Sequence, residues 1–468
     1  MAFRQTKQSR IARIMNTAPL AYTAHMRAIL KLGLPLIGGH LGQVAIGATD
    51  TIMVGWYGVT ELASITLAGH YFFVLFLMGS GFAWAVMPMV AKYHAEEDEV
   101  NIRRSTRMGL WLSFLFALLA FPLLYWSLPI LQLLQQGEAE SALAAEYLKL
   151  AGWGIFPALM VMTLKSYLAA LDRTQIVFWI TLLAALANGL LNYALIFGNW
   201  GAPELGLRGA AWASLLTQCV MLAGVVIYAM WALPEHSLFQ RMWKPDWDMF
   251  RKVFQLGWPI GLTTLSEVGL FSASAIMMGW LGTVPLAAHG IALQLASITF
   301  MVHLGFANVA TIRAGNAVGR KDLDHLKRGA RTAIGLSLAM SMATIVVFVV
   351  WPELLIDLFL SPDEPARLEI LEIGVILLAL AAVFQLVDGA QVIALGLLRG
   401  VQDTAVPMVL AGISYWVIGM PVSYYFGYVL GFGGAGVWMG LVVGLAVAGV
   451  LLMGRFWGFT VKHILKAG

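Results

Sequence analysis

Two carboxylates stand where a carboxylate is expensive. Glu267 lies in PIGLTTLSEVGLFSASAIMMGWLG and Asp388 in VILLALAAVFQLVDGAQVIALGLL, long apolar stretches with no basic residue close by in sequence. In a membrane span an ionisable side chain costs about 2.5–3.5 kcal/mol on insertion scales, so each marks a functional site by default. The chemistry on offer is reversible neutralisation of charge, by a proton, a metal cation or an organic cation.

Other polar residues fall at helical spacing around these acids. Thr263, Thr264, Glu267 and Ser274 share one face of a helix, with Phe271 one turn from Glu267. Gln385, Asp388 and Gln391, three apart, form a second stripe. His40, Gln43, Gly47 and Asp50 form a third, and Asn188 and Asn192 a fourth. Such rows of oxygens ligate a cation or line a wet cavity. Asn, Gln and Ser also glue membrane helices together, and Gln43 or Ser274 alone reads that way. Asp50 is a stronger candidate, because helix glue seldom uses a full charge, although its place near the outer end of its segment also allows solvation.

The elements that must hold these residues are membrane helices. Of 468 residues, 60% are hydrophobic and only 12% charged, against about 25% charged in soluble domains. Apolar runs of span length recur throughout, without the period-2 alternation of a membrane barrel. Twelve segments are predicted, at 28–56, 62–90, 107–134, 143–170, 174–198, 206–233, 249–280, 285–312, 329–359, 367–398, 404–429 and 433–456. If the N-terminus, the even-numbered exits and the C-terminus share one side, nearly all 29 Lys and Arg fall toward it, the exceptions being Lys149, Arg208 and Arg367. That asymmetry predicts cytoplasmic termini. The net charge of +4 therefore reads as topology rather than nucleic-acid binding. The single Cys219 forms no intrachain disulfide, and the polar, basic first 25 residues do not read as a signal peptide.

The chain is an internal duplication. Residues 33–63, shifted by 224, align without a gap to 257–287 with eleven of 31 positions identical, among them Gly33/Gly257, Pro35/Pro259, Trp56/Trp280 and Gly58/Gly282. GAAWAS (209–214) resembles AGVWMG (435–440) near the end of each copy. Six spans per copy make a parallel repeat, an arrangement used by rocking transporters. The expected organisation is a cytoplasmic tail at 1–27, a first lobe at 28–234, a cytoplasmic linker at 235–248, a second lobe at 249–456 and a cytoplasmic tail at 457–468. Pro35 and Pro259 interrupt the first helix of each copy and are candidate hinges. No nucleophile elbow, P-loop or His-rich metal helix is present, so an enzyme is not expected, and uphill transport would be driven by an ion gradient.

These segments resemble the multidrug and toxic compound extrusion (MATE) family, in particular its NorM branch, over nearly the whole chain. The likeness is carried by LGLPLIGGHLGQVAIGATDTIMVGWYG, WPIGLTTLSEVGLFSASAIMMGWLG, FQLVDGAQVIALGLLRGVQDTAVPM, NGLLNYALIFG and GNAVGR. It implies an all-α, twelve-span, V-shaped two-lobe antiporter that exports organic cations, such as drugs and dyes, in exchange for Na⁺ or H⁺. It places functional residues of the first lobe at Asp50, Asn188 and Asn192, and of the second at Glu267, Asp388 and Phe271, with a monovalent cation at Glu267 and Asp388. No cofactor other than the coupling ion is implied. The expected setting is the bacterial inner membrane, as a monomer embedded in lipid, with a role in antibiotic resistance and no nucleic-acid partner. The chain departs from relatives at Phe384, where some carry tyrosine, and at Gly290 and Gln294 in AAHGIALQ.

Two other functions fit parts of the pattern. A flippase for lipid-linked oligosaccharides would want basic residues lining its cavity, and these are almost absent from the predicted spans. A non-transporting receptor or channel accounts less well for the duplication and the two acids.

Overall fold

A computed structural model describes residues 21–133, 137–361 and 364–462. Residues 1–20 and 463–468, parts of the two expected tails, lie outside the described residues. The described chain is nearly all helix and contains twelve helices long and apolar enough to cross a membrane. We call them α1 (Tyr22–Tyr57), α2 (Val59–Ala95), α3 (Glu99–Tyr125), α4 (Glu138–Ala170), α5 (Thr174–Phe197), α6 (Leu207–Ala232), α7 (Trp247–Leu281), α8 (Thr283–Arg320), α9 (Leu323–Val350), α10 (Arg367–Gly400), α11 (Ala405–Val429) and α12 (Gly433–Thr460).

The duplication is visible in the helix boundaries. α1 ends at Tyr57 and α7 at Leu281, while α2 begins at Val59 and α8 at Thr283, each displaced by 224 residues. The joints are Gly58 and Gly282. At Gly282 φ is 128°, a value L side chains rarely adopt, so this tight joint favours glycine. Packing repeats as well. α1 lies on α5, α2 on α3 and α4, and α4 on α6; six spans on, α7 lies on α11, α8 on α9 and α10, and α10 on α12. Three basic-side loops start the next span alike. Asp98, Asp246 and Asp322 each accept a backbone N–H, from Asn101 (2.9 Å), Met249 (3.2 Å) and His325 (2.8 Å), capping α3, α7 and α9.

The halves meet where α2 packs on α7 and α8, and α1 on α8 and α9. The close approaches gather toward the basic ends of these helices. A Cβ on Gly261 of α7 would lie 2.5 Å from the Met78 carbonyl oxygen of α2, and one on Gly81 of α2 would run into the backbone of Gly257 and Gly261. On α8, Gly315 abuts Pro88 and Ala91 of α2. The result is the V-shaped arrangement, joined at the basic end.

One expectation is adjusted. Pro35 and Pro259 do not interrupt their helices; α1 and α7 run unbroken through them, as a helix can where neighbouring groups take over the freed carbonyl. The segment at 235–248, the expected linker, is fastened to the first half. One face of α3 holds it: Arg104 pairs with Asp246, Arg107 donates to the carbonyls of Leu238 (2.7 Å) and Ser237 (2.9 Å), and Trp111 Nε1 donates to the Met242 carbonyl (2.8 Å). The Arg104 hydrogen bond holds the Asp246 carboxyl below its usual range. Two of the three basic residues that break the charge asymmetry have acidic partners, Arg208 with Glu146 and Arg367 with Asp357.

Candidate functional site

Each half contains a polar centre, and the two are built differently. In the first half, α1 presents Asp50 to α5 and α6. Asp50 Oδ1 accepts from Asn188 Nδ2 (2.9 Å) and Asn192 Nδ2 (2.6 Å), and Oδ2 accepts from Ser214 Oγ (2.9 Å). Both asparagines are fully buried. The Tyr147 hydroxyl lies 3.5 Å from Ser214 Oγ, so four helices contribute. The expected trio of Asp50, Asn188 and Asn192 is thus brought together, and Ser214 and Tyr147 join it. Ser214 ends the GAAWAS motif, whose repetition flagged the segment without indicating its role. Nothing in the sequence singled out Tyr147.

In the second half, Glu267 of α7 and Asp388 of α10 are both buried, with exposures of 8% and 1%, and stand within electrostatic reach of each other. Gln391 Nε2, one turn along from Asp388, lies 3.4 Å from Glu267 Oε1 and donates to the Tyr415 hydroxyl of α11. Asp388 Oδ1, Gln385 Oε1 and Gln391 Oε1 are buried and have no hydrogen-bond partner among the described residues. Buried polar atoms are seldom left so. The site therefore offers two carboxylates and amide oxygens, a donor set suited to a proton or a hard monovalent cation. Among the described residues no three His, Cys, Asp or Glu gather as a metal cluster.

The hydroxyls beside Glu267 behave less simply than their spacing suggests. Thr263, Thr264 and Ser274 donate to carbonyls of their own helix, at Pro259 (2.7 Å), Ile260 (3.0 Å) and Phe271 (2.8 Å). Their protons are committed locally. Phe271 begins an aromatic wall. Its ring meets Phe384 edge-on at 5.9 Å, Phe384 meets Trp438 at 5.7 Å, and Trp438 Nε1 donates to His289 Nδ1 at 3.0 Å. Phe384, the departure from tyrosine, fills this wall without an oxygen. Gly290 and Gln294 are exposed.

Two further corrections concern partners. Glu267 is not remote from basic charge, because Arg399, near the end of α10, is within electrostatic reach of it. Sequence distance concealed this, since Arg399 lies on a different helix. The guanidinium also sits over the Trp84 ring of α2, 5.3 Å from its centroid. The stripe on α1 is split. Asp50 turns to α5 and α6, His40 Nε2 lies 3.0 Å from Asn308 Nδ2 of α8 in the other half, and Gln43 is exposed. Tyr415 and Trp416 were not anticipated. They lie in a π-helical stretch of α11, Ile413–Gly419, a feature frequent at functional sites. Through it Tyr415 reaches Gln391 and Trp416 Nε1 donates to Ser266 Oγ (2.9 Å), next to Glu267.

The MatE family model matches residues 35–194 and 259–425, one block in each half. The chain is 45% identical to a probable multidrug resistance protein NorM of Rhizobium meliloti (strain 1021), over 93% of this chain and 94% of the relative. It is 42% identical to a probable multidrug resistance protein NorM of Agrobacterium fabrum, with the same coverage. The crystal structure of a eukaryotic MATE transporter superposes with a TM-score of 0.83 at 18% identity, covering 95% of this chain and 98% of that one.

Proposed function

The chain belongs to the MATE family, and from that premise we propose that it exports organic, mostly cationic compounds from the cell in exchange for Na⁺ or H⁺. At the coarser level it is a multi-pass membrane transporter of the multidrug-efflux kind. The observation carrying the finer reading is the second-half centre. Two buried carboxylates lie together, and Asp388 Oδ1 and the neighbouring amide oxygens lack hydrogen-bond partners among the described residues.

Such a centre works by exchange of neutralising charge. A proton or Na⁺ at Glu267 and Asp388 offsets their burial. A drug cation does the same while its rings meet the wall begun by Phe271. Asp50 with Asn188 and Asn192 forms a separate polar site in the first half. Net inward movement of one positive charge gains about 2.3 kcal/mol per 100 mV, which biases the cycle. The two ligands drive movement only by differing in affinity between the two open states. The basic ends, by charge asymmetry, face the cytoplasm of a bacterial inner membrane. With the basic ends taken as cytoplasmic, halves joined at those ends read as an outward-open arrangement, with Pro35 and Pro259 as candidate flex points. Both centres lie within one chain, so a monomer suffices.

The test is reconstitution in liposomes, with ethidium movement followed under separately imposed Na⁺ and pH gradients. Wild-type protein is expected to move the dye against one of them. Glu267→Gln and Asp388→Asn are expected to abolish movement while the protein remains membrane-inserted. Normal export by both amide variants would overturn the assignment.

A further inference from the structure

Arg399 is a cation whose two partners lie on opposite sides of the seam between the halves. Among the described residues it makes no ion pair. The acid within its electrostatic reach is Glu267, in its own half. Its close contact is with the other half, where the guanidinium sits 5.3 Å from the centroid of the Trp84 ring on α2. The Trp84 indole nitrogen is buried with no hydrogen-bond partner among the described residues, so what this side chain offers the cation is its π-face.

The stem of Arg399 is fixed to the second half. Gly396 and Gly400, on either side of it, press against α8: a Cβ on Gly396 would lie 2.5 Å from the Ala307 carbonyl oxygen, and one on Gly400 2.6 Å from that of Thr311. Thr311 Oγ1 also donates to the Gly396 carbonyl (2.8 Å). Glu267 is linked to the same helix as Arg399, through Gln391 Nε2 at 3.4 Å. Trp84 moves with the first half instead. It lies one turn from Gly81, where α2 meets the backbone of Gly257 and Gly261. Parting the seam therefore carries Trp84 away from Arg399 and keeps Glu267 beside it. A guanidinium that loses one partner in a low-dielectric interior is drawn to the carboxylate still within reach.

We propose that Arg399 is a tethered counter-ion that changes partner with the state of the seam: it rests on Trp84 while the basic ends are joined, and turns to Glu267 when they part, displacing the coupling cation into the cytoplasm. The exchange supplies what antiport requires, a weaker hold on the coupling ion in the inward-open state than in the outward-open one. Arg399 acts on the ion through Glu267 and is a positioning residue. The inference rests on the antiport reading of the preceding section and adds to it the step that releases the ion.

Everted membrane vesicles from cells expressing the full chain test it. Their bath meets the cytoplasmic face. Ethidium uptake is followed while the driving ion, Na⁺ or H⁺, is varied separately in the lumen, where it drives uptake, and in the bath, where it inhibits by keeping Glu267 occupied. Arg399→Gln should lower the bath midpoint for inhibition about tenfold or more, the effect of taking an opposite charge away from a buried carboxylate, and leave the lumenal midpoint within about twofold. Arg399→Lys, which keeps the charge, should stay closer to wild type than to Arg399→Gln. Trp84→Leu frees the guanidinium while the seam is closed, and should raise the lumenal midpoint roughly threefold or more with the bath midpoint unmoved. A merely structural role does not produce such one-sided shifts. Both midpoints moving together in Arg399→Gln, or neither moving, would overturn the inference. If that variant fails to reach the membrane, an unmoved lumenal midpoint in Trp84→Leu overturns it. Wild-type vesicles without ion-driven uptake would instead bring down the antiport reading, and this inference with it.

Discussion

The two halves descend from one repeat but treat their acids in opposite ways. Asp50 is met by three donors from two other helices, with both carboxylate oxygens engaged. Among the described residues Asp388 has an oxygen with no partner, and Glu267 receives one long contact from an amide already committed to Tyr415. The 224-residue shift pairs Glu267 with Gln43 and Asp50 with Ser274, so neither acid has an acidic counterpart. A carboxylate supplied with donors is part of the protein's own hydrogen-bond network. One left short of them is completed by something that arrives. On the proposed function, the second half holds the site whose occupancy changes during a cycle.

This contrast can be broken by stability measurements as well as by transport. The largest effect is expected for Asp50→Ala, which strands three donors, two of them on fully buried asparagines. Each stranded group costs about 1–3 kcal/mol, so the melting midpoint in detergent should fall sharply. Asp388→Asn should move it the other way, by roughly 1–2 kcal/mol of added stability, because it removes a buried charge short of partners. Export should nonetheless be lost, and a fall in both midpoints would erase this distinction. A smaller asymmetry is expected at the repeated tryptophans. Trp438 is fully buried and bonded to His289, whereas Trp212 is 41% exposed. Trp438→Phe should cost about 1 kcal/mol for the lost bond, and Trp212→Phe should stay within about 0.5 kcal/mol; thermal shift of the two variants decides it. The smallest effect concerns the linker. Because the Asp246 carboxyl is held below its ordinary 3.8, its contribution is fully present above that pH and is lost only as pH falls through the lower folded value. Proteolysis of the linker should be unchanged from pH 8 to 5 and rise only in stronger acid.

Much of this molecule was legible in the sequence. The twelve spans follow from apolar length, and the ungapped repeat anticipated boundaries that recur 224 residues apart, at Tyr57 and Leu281. Glu267, Asp388 and Asp50 stood out because charge in an apolar run has few innocent explanations. What remained hidden depends on the rotation of one helix against another. Ser214 and Tyr147 are ordinary residues until α6 and α4 turn them toward Asp50. Arg399 comes within electrostatic reach of Glu267 only once the fold brings residues of α10 and α7 to one polar centre. Tyr415 and Trp416 escape a 3.6-residue reading for a further reason, since a π-helical stretch changes the angular phase of the side chains it contains.

The glycines that join the halves bear on the speed of the cycle. Where Gly81 meets Gly257 and Gly261, main chain touches main chain. Interlocked side chains would have to change rotamer before the surfaces could part, and each such step adds to the activation barrier. At that point there is no side chain to unlatch, although the Phe82 ring stacks on Phe254 at 5.6 Å beside it. In a rocking cycle such a contact would part with less rotamer rearrangement than an interlocked one. Bulk added there, as in Gly261→Val, would act as grit in a bearing and wedge the seam ajar.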